Sequence, residues 1–222
     1  MTQLFRPVGL QEMSLLWDSE FREFPPRLEH QPFFYPVATA EYARHIAARW
    51  NVPDETSGFV GFVTRFAVAD DYLARFERHV VGARDHVEYW IPSEQLPSFN
   101  HAMTDPITVE DAFFGPKFVG HVQQMYGLKG KDAIQQFVIL ARTWDYSRMD
   151  FVCEVSANRK AVYLNSWFWA QHDFTDFGIG QDQKHKVMGR LQKAWEFNQI
   201  TFLLPLTFSE NAKRTEWPEP PG

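Results

Sequence analysis

Cysteine is nearly absent from this sequence of 222 residues, which contains only Cys153. A single cysteine cannot close an internal disulfide, so the composition fits a reducing compartment, and we expect a cytoplasmic protein. No apolar run approaches the ~20 residues that cross a bilayer, and the first residues lack a signal-peptide pattern, so no membrane contact is expected. Cys153 lies in an apolar stretch without basic neighbours, which predicts a buried, unreactive thiol on a strand.

Lysine is missing from the first half of the chain. Residues 1–110 hold nine Arg, no Lys and 16 acids, which gives a charge of −7. Residues 111–222 hold 13 basic and 12 acidic residues, for a total of −6, which argues against broad attachment to nucleic acid. The change in composition predicts a domain over residues 1–110, an extension over 111–208 and a frayed tail over 209–222.

Metal-binding and phosphate-loop patterns are also lacking. The eight histidines show neither HxH nor HxxxH spacing, and no paired cysteines accompany them. We therefore expect no metal site.

Short strands alternate with short helices in the first half. Strands are predicted at 4–6, 33–37, 59–68, 86–91 and 107–109, and helices at 10–17 and 42–50, the latter with Thr39 as its N-cap. In the second half we predict helices at 132–142 and 182–196, a hairpin of strands 150–156 and 160–165, and a final strand at 200–204. Such mixed elements without regular βαβ units predict an α+β fold.

Two strands carry the residues best suited to chemistry. Along 59–68, Thr64 belongs to the more apolar face and Arg65 to the other, where Gly61 leaves room for a ligand or for another backbone. On the strand at 86–91, one face presents His86, Glu88 and Trp90. Glu88 could stabilise an oxocarbenium-like transition state, or the three could form an ordinary polar strand face.

Three further residues could bind an anionic, planar ligand. A guanidinium at Arg6 suits a pyrophosphate, although it could equally form a surface salt bridge. Arg27 follows a rigid Pro-Pro pair and is a second phosphate candidate or a structural residue. Tyr35 could stack on a nicotinamide ring or pack in the core.

Across residues 3–110 the chain resembles small bacterial proteins labelled "ADP-ribosylation/crystallin J1". The segments that carry the resemblance are Phe5–Gly9, Phe24–Arg27, Phe34–Val37, Tyr42–Asn51, Val63–Phe66, His86–Pro92 and Phe99-Asn100. More widely, the order of residues is similar to that of the ADP-ribosyltransferase superfamily, whose split β core clasps NAD.

The resemblance implies NAD as substrate, and a C-terminal α+β extension packed on an ADP-ribosyltransferase-like core with flanking helices. It places Arg6 on the dinucleotide, Tyr35 against nicotinamide and Glu88 at the bond that is cleaved, with His86 beside Glu88 as a further catalytic candidate. Arg27 and Arg65 are further cofactor-binding candidates that do not come from the resemblance. Two positions depart from the superfamily: Val63-Thr64-Arg65 replaces its Ser-Thr-Ser strand, and His86 stands where many members carry Glu or Gln.

Three functions follow from these observations. The first is ADP-ribosyl transfer to an unknown acceptor. The second is a non-catalytic binding module of the same fold that acts through a protein partner and exposes an aromatic patch. The third is transfer to nucleic acid, with the contacts Lys129, Lys131, Arg159 and Lys160.

Overall fold

The computed structural model describes residues 1–82, 86–197 and 204–205 and divides the chain into two compact units, Met1–Gly120 and His121–Gly222. This boundary falls ten residues after the one expected from composition. The physical reason is a strand, Thr108–Phe114, that crosses position 110 and is hydrogen-bonded into the first unit. In the described ranges, no helix is both long and apolar enough to cross a bilayer.

The first unit mixes strands with short helices, so the chain is α+β. Its strands are β1 Thr2–Val8, β2 Phe33–Phe34, β3 Val60–Val68, β4 Arg78–Val80, β5 Val87–Tyr89, β6 Ile91–Pro92 and β7 Thr108–Phe114. Its helices are α1 Leu10–Asp18, α2 Ala40–Ile46, α3 Asp70–Leu73 and α4 Leu96–Ala102, with a π-helical turn at Ala47–Asn51 and a 3-10 turn at Ser93–Gln95.

Three antiparallel strands form the centre of this unit in the order β1-β3-β7. Two shorter antiparallel pairs, β2-β6 and β4-β5, accompany them. Val37 forms isolated bridges both to Phe5 of β1 and to Glu88 of β5, which continues the central sheet toward the β4-β5 pair. The arrangement is that of small open sheets with helices around them.

The two faces of β3 bury different groups. The face predicted to meet the core is buried throughout, Thr64 included, and the Thr64 hydroxyl donates to the Arg6 carbonyl at 2.8 Å. On the other face, Phe5, Val37, Tyr42, Ala43, Ala47 and Val63 form a second apolar cluster. Thr39 caps α2 as predicted, accepting a hydrogen bond from the Tyr42 amide at 3.3 Å.

Gly61 has no ligand-sized space beside it. A Cβ placed on Gly61 would lie 2.5 Å from the Ala47 carbonyl oxygen and 2.6 Å from the Ala47 Cα. Of the two sequence interpretations for this glycine, the structure shows the close approach of another backbone.

Every regular element in the described part of the second unit is a helix. The bounds are α5 Ala133–Tyr146, α6 Arg148–Ala157, α7 Arg159–Gln171 and α8 Gln181–Phe197, with a 3-10 turn at Thr175–Phe177. The helices predicted at 132–142 and 182–196 are confirmed, and Asp132 begins α5 with a capping box to Gln135. The predicted strand at 200–204 and the tail at 209–222 fall almost wholly outside the described residues.

The hairpin predicted at 150–165 is wrong. Both halves are helical, and Ser147 caps α6 by accepting from the Asp150 amide at 3.2 Å. Phe151 and Val155 are one helical turn apart and both buried, which is the spacing of a helix. The β-branched valines in this segment favoured the strand prediction instead. Cys153 therefore lies on a helix, and it is exposed rather than buried.

Candidate functional site

One register sets the geometry of the predicted site. Phe33 pairs with Pro92, Phe34 with Ile91 and Val37 with Glu88, so the segments 33–37 and 88–92 run antiparallel without a shift. Tyr35 then stands opposite Trp90, and their ring centroids are 6.0 Å apart. Because paired residues project to the same side of a sheet, Tyr35, Trp90 and Glu88 share one face.

Glu88 is hydrogen-bonded through both carboxylate oxygens. Oε1 accepts from the Tyr42 hydroxyl at 2.8 Å, and Oε2 accepts from the Trp90 indole nitrogen at 3.0 Å. Burial first, and then this bond to Glu88, raises the pKa of Tyr42 well above its usual range. Tyr42 is thus a neutral donor that holds the carboxylate against the sheet.

Among the described residues, Tyr42 connects His86 with Glu88. Its ring stacks on the Tyr42 ring, with centroids 4.1 Å apart, and lies 5.7 Å from the His45 ring. Burial, followed by the nearby His86 and Arg49, lowers the pKa of His45. Tyr42 and His45 of α2 thus pack with His86, next to the strand that carries Glu88.

Arg6 projects from the opposite face of the sheet. Arg6 pairs with Thr64, whereas its neighbour Phe5 pairs with Arg65 and bridges to Val37, the partner of Glu88. Adjacent strand residues point to opposite sides, so the expected convergence of Arg6 and Glu88 in one cavity does not occur. The guanidinium of Arg6 instead lies over the Phe34 ring, 4.5 Å from its centroid.

The polar partners of Arg6 are a carboxylate and a backbone carbonyl. Nε and Nη2 donate to the two oxygens of Glu12 at 2.8 and 3.1 Å, and Nη1 donates to the Tyr35 carbonyl at 3.3 Å. Arg27 lies on the same carboxylate, with Nη1 at 3.7 Å from Glu12 Oε2. Two of the predicted cofactor contacts, Arg6 and Arg27, are therefore together. Tyr35 adjoins them through its carbonyl, which accepts from Arg6, and through an electrostatic interaction of its side chain with Arg27.

Arg65 is apart from both groups. It forms an ion pair with Glu110 at 3.2 Å and is two-fifths exposed. It shares the sheet face of Glu88, but β1 and the Val37 segment lie between them. Nothing in its contacts connects Arg65 to the other candidates.

An open aromatic groove lies beside Trp90. It has a volume of about 570 Å³, and its aromatic and apolar lining consists of Phe33, Phe76, His79, Trp90 and Pro92. The His79 ring stacks on Trp90 at 4.2 Å, and Phe33 lies 6.0 Å from Trp90. Arg75 and Glu77 add charges to the lining.

Sequence reasoning missed the residues that shape these groups. Tyr42 was assigned only to the buried stripe of α2, although a buried tyrosine hydroxyl needs an acceptor. Glu12, in the first turn of α1, binds Arg6 only six residues before it, and His79 of β4 stacks on Trp90 of the neighbouring segment; neither pair follows the spacing of a single helix or strand.

The basic residues proposed as nucleic-acid contacts fall in two places in the second unit. Lys129 and Lys131 lie in the loop before α5 and are exposed, while Arg159 and Lys160 begin α7. Throughout the ranges that the structure describes, no three His, Cys, Asp or Glu side chains are grouped in a way that could hold a metal ion.

Comparison with known proteins supplies no relative. No family model matches the chain, and neither a curated protein nor a solved structure is significantly similar to it.

Proposed function

We propose that the first unit is a binding module that takes an extended peptide segment of a partner protein in the aromatic groove. The observation that carries this proposal is the exposure of large aromatic rings around an open cavity. Trp90, which lines the groove, is 39% exposed, and its neighbour Tyr35 is 36% exposed, although Phe34 and Ile91 in the adjacent β2-β6 pair are fully buried. Exposed aromatic patches of this kind mark interaction surfaces.

The groove chemistry favours a proline-rich segment. Proline rings in an extended left-handed helix dock between flat aromatic side chains, and their preformed backbone loses little entropy on binding. The rings of Trp90, Phe33 and Tyr35 pack against one another with centroid separations of about 6 Å and form a contiguous aromatic patch for such prolines.

The net negative charge of the first unit favours a peptide with basic residues beside its proline-rich core. Residues 1–120 hold 10 Lys and Arg against 17 Asp and Glu. A surrounding field of this sign attracts basic segments and repels phosphate backbones. We therefore expect a proline-rich core with an arginine or lysine next to it, and no binding of nucleic acid in this groove.

A peptide array tests the proposal directly. Peptides that combine spaced prolines with a basic flank should bind, and versions with an acidic flank should bind less. Trp90→Ala should weaken binding by about 30-fold, which corresponds to the ~2 kcal/mol of an aromatic hot spot. Trp50→Ala is the matched control, because Trp50 is a 59% exposed tryptophan outside the groove lining.

Equal binding by wild type and Trp90→Ala would reject the groove. Phe76→Ala provides a second variant, because Phe76 lines the groove but makes no hydrogen bond to Glu88. Loss of binding in Trp90→Ala alone would point to the Glu88 cluster instead of the groove surface.

NAD-dependent ADP-ribosyl transfer is the second candidate, with NAD as substrate and a protein or nucleic-acid acceptor. It is favoured by the shared sheet face of Tyr35, Trp90 and Glu88, which sets a stacking surface beside a carboxylate. The separation of Arg6 from Glu88 weighs against it, because the dinucleotide contact and the carboxylate were expected to line one cavity.

Thermal unfolding with NAD and direct measurement of nicotinamide release separate the two candidates. A binding module gives neither a shift nor release. A transferase gives both, and Glu88→Gln lowers release by on the order of 10²–10³ while NAD binding changes less.

A further inference from the structure

Arg6, Glu12 and Arg27 form a charge cluster on the face of the sheet opposite to Glu88. Two guanidinium groups share one carboxylate, so the cluster carries an excess positive charge. Arg6 uses both oxygens of Glu12, at 2.8 and 3.1 Å. Arg27 approaches the same carboxylate only to 3.7 Å, which is an ion pair but too long for a hydrogen bond.

The Nε atom of Arg27 is buried and has no hydrogen-bond partner among the described residues. The side chain as a whole is only 11% exposed. Leaving such a donor unpaired is destabilising, and buried donors in folded proteins nearly always have a partner. Burial first, and then the charge of Arg6, lowers the pKa of Arg27, so another negative charge here would offset the repulsion between the two guanidiniums.

The loop that carries Arg27 is held in place by contacts of its own. The Asn100 side chain accepts from the Phe24 amide at 3.0 Å and donates to the Phe24 carbonyl at 2.9 Å. Pro25 and Pro26 then restrict the backbone up to Arg27. A ligand that meets Arg27 therefore has little ordering entropy to overcome.

We propose that Arg27, backed by Arg6, binds a compact oxyanion: a phosphate or carboxylate group that accepts from Nε and one Nη in a bidentate manner. Glu12 neutralises Arg6 and positions it, which leaves the fork of Arg27 for the ligand. None of Arg6, Glu12 and Arg27 lines the aromatic groove, so this proposal stands independently of the peptide proposal.

Nitrogen-15 NMR of the arginine side chains tests the site in the intact wild-type chain. Inorganic phosphate should shift the Arg27 Nε–H resonance along a saturable curve, whereas sodium chloride at equal ionic strength should not. A parallel titration with acetate tells a general oxyanion site from one that needs phosphate. An Arg27 resonance that responds to neither anion beyond the chloride control overturns the proposal.

Variants add a second measurement. Phosphate should raise the Tm of the wild type, and Arg27→Gln should lose that rise. Arg22→Gln is the matched control and should keep the rise in Tm. Arg22 belongs to the same loop, but its side chain is exposed and forms an ion pair with Glu20 at 3.8 Å. An unchanged phosphate response in Arg27→Gln contradicts the proposal; if that variant does not fold, the wild-type NMR titration decides alone.

Discussion

At the scale of single residues, Glu88 is a partly buried carboxylate held by two neutral donors. Glutamine at this position keeps the shape, but only its carbonyl oxygen can accept, so either Tyr42 or Trp90 loses its partner. Hydrogen bonds to charged groups contribute about 1.5–3 kcal/mol, and we expect Glu88→Gln to lower the free energy of unfolding by ~2 kcal/mol. Urea denaturation of the two proteins measures the difference.

The matched control for this change is Glu94→Gln. Glu94 is an exposed glutamate in the 3-10 turn at 93–95, and its substitution should change stability by less than ~0.5 kcal/mol. If Glu88→Gln and Glu94→Gln have the same stability, the hydrogen bonds to Glu88 do not hold the sheet together.

Two histidines contribute to the pH dependence of stability near neutral pH. Burial, followed by the charge of Lys184, lowers the pKa of His172, so the unfolded chain binds a proton there more readily than the folded chain. The stability contribution is complete above the unfolded pKa of ~6.5 and is lost as the pH falls from there toward the folded pKa. His45 acts in the same direction.

The free energy of unfolding should therefore decrease as the pH is lowered from 7 to 5. In His172→Gln the free energy of unfolding should depend less steeply on pH. His185→Gln, on the exposed side of α8, serves as the control and should keep the wild-type slope. A slope that His172→Gln leaves intact would assign the acid sensitivity to other groups.

At the scale of elements, the π-helical turn at 47–51 and strand β3 are in direct backbone contact at Gly61. An alanine methyl would collide with the Ala47 carbonyl and Cα, neither of which can move without displacing the turn. Overpacking of this kind costs about 1–3 kcal/mol, and we expect Gly61→Ala to lie at the upper end of that range. Thermal and chemical unfolding will measure it.

Gly189→Ala is the contrasting change. Gly189 lies within α8, and a Cβ there would meet nothing within 4 Å. Alanine in the middle of a helix is more stable than glycine by about 0.5–1 kcal/mol, so this variant should raise the Tm. Opposite signs for the two substitutions would show that the local contact, and not the loss of glycine as such, determines the result.

Local patterns predicted elements well where periodicity was unambiguous. The stripe of α2 with its Thr39 cap, the long strand β3 and the helices α5 and α8 were all foreseen. The segment 160–165 was wrongly predicted as a strand and belongs to α7, because residues 161–169 are buried without interruption and such a run has no period that separates a helix from a strand. Asn158, taken as the turn of a hairpin, lies between two helices and is almost fully buried.

At the scale of the whole molecule, the candidate site depended on information that no local pattern holds. Whether Arg6 and Glu88 share a face is decided by the pairing of Phe5 with Val37 and of Val37 with Glu88, which joins segments far apart in sequence. A shift of one residue in either pairing would reverse the outcome. The sequence singled out Arg6 and Glu88 as candidates, but it did not predict that they lie on opposite faces of the sheet.

The division into units leads to a last prediction. The central sheet, the charge cluster around Glu12, the residues around Glu88 and the aromatic groove all lie within Met1–Gly120. Strand β7 completes the sheet and ends at Phe114, before that unit ends. A fragment of 120 residues can bury a sufficient core, so residues 1–120 should unfold cooperatively on their own. A fragment ending at 110 would cut β7 in half and leave much of one side of β3 unpaired.

Circular dichroism and urea denaturation should show a cooperative transition for the fragment 1–120 and a weaker or absent one for the fragment 1–110. Equal stability of the two would mean that residues 111–120 contribute nothing to the fold of the unit.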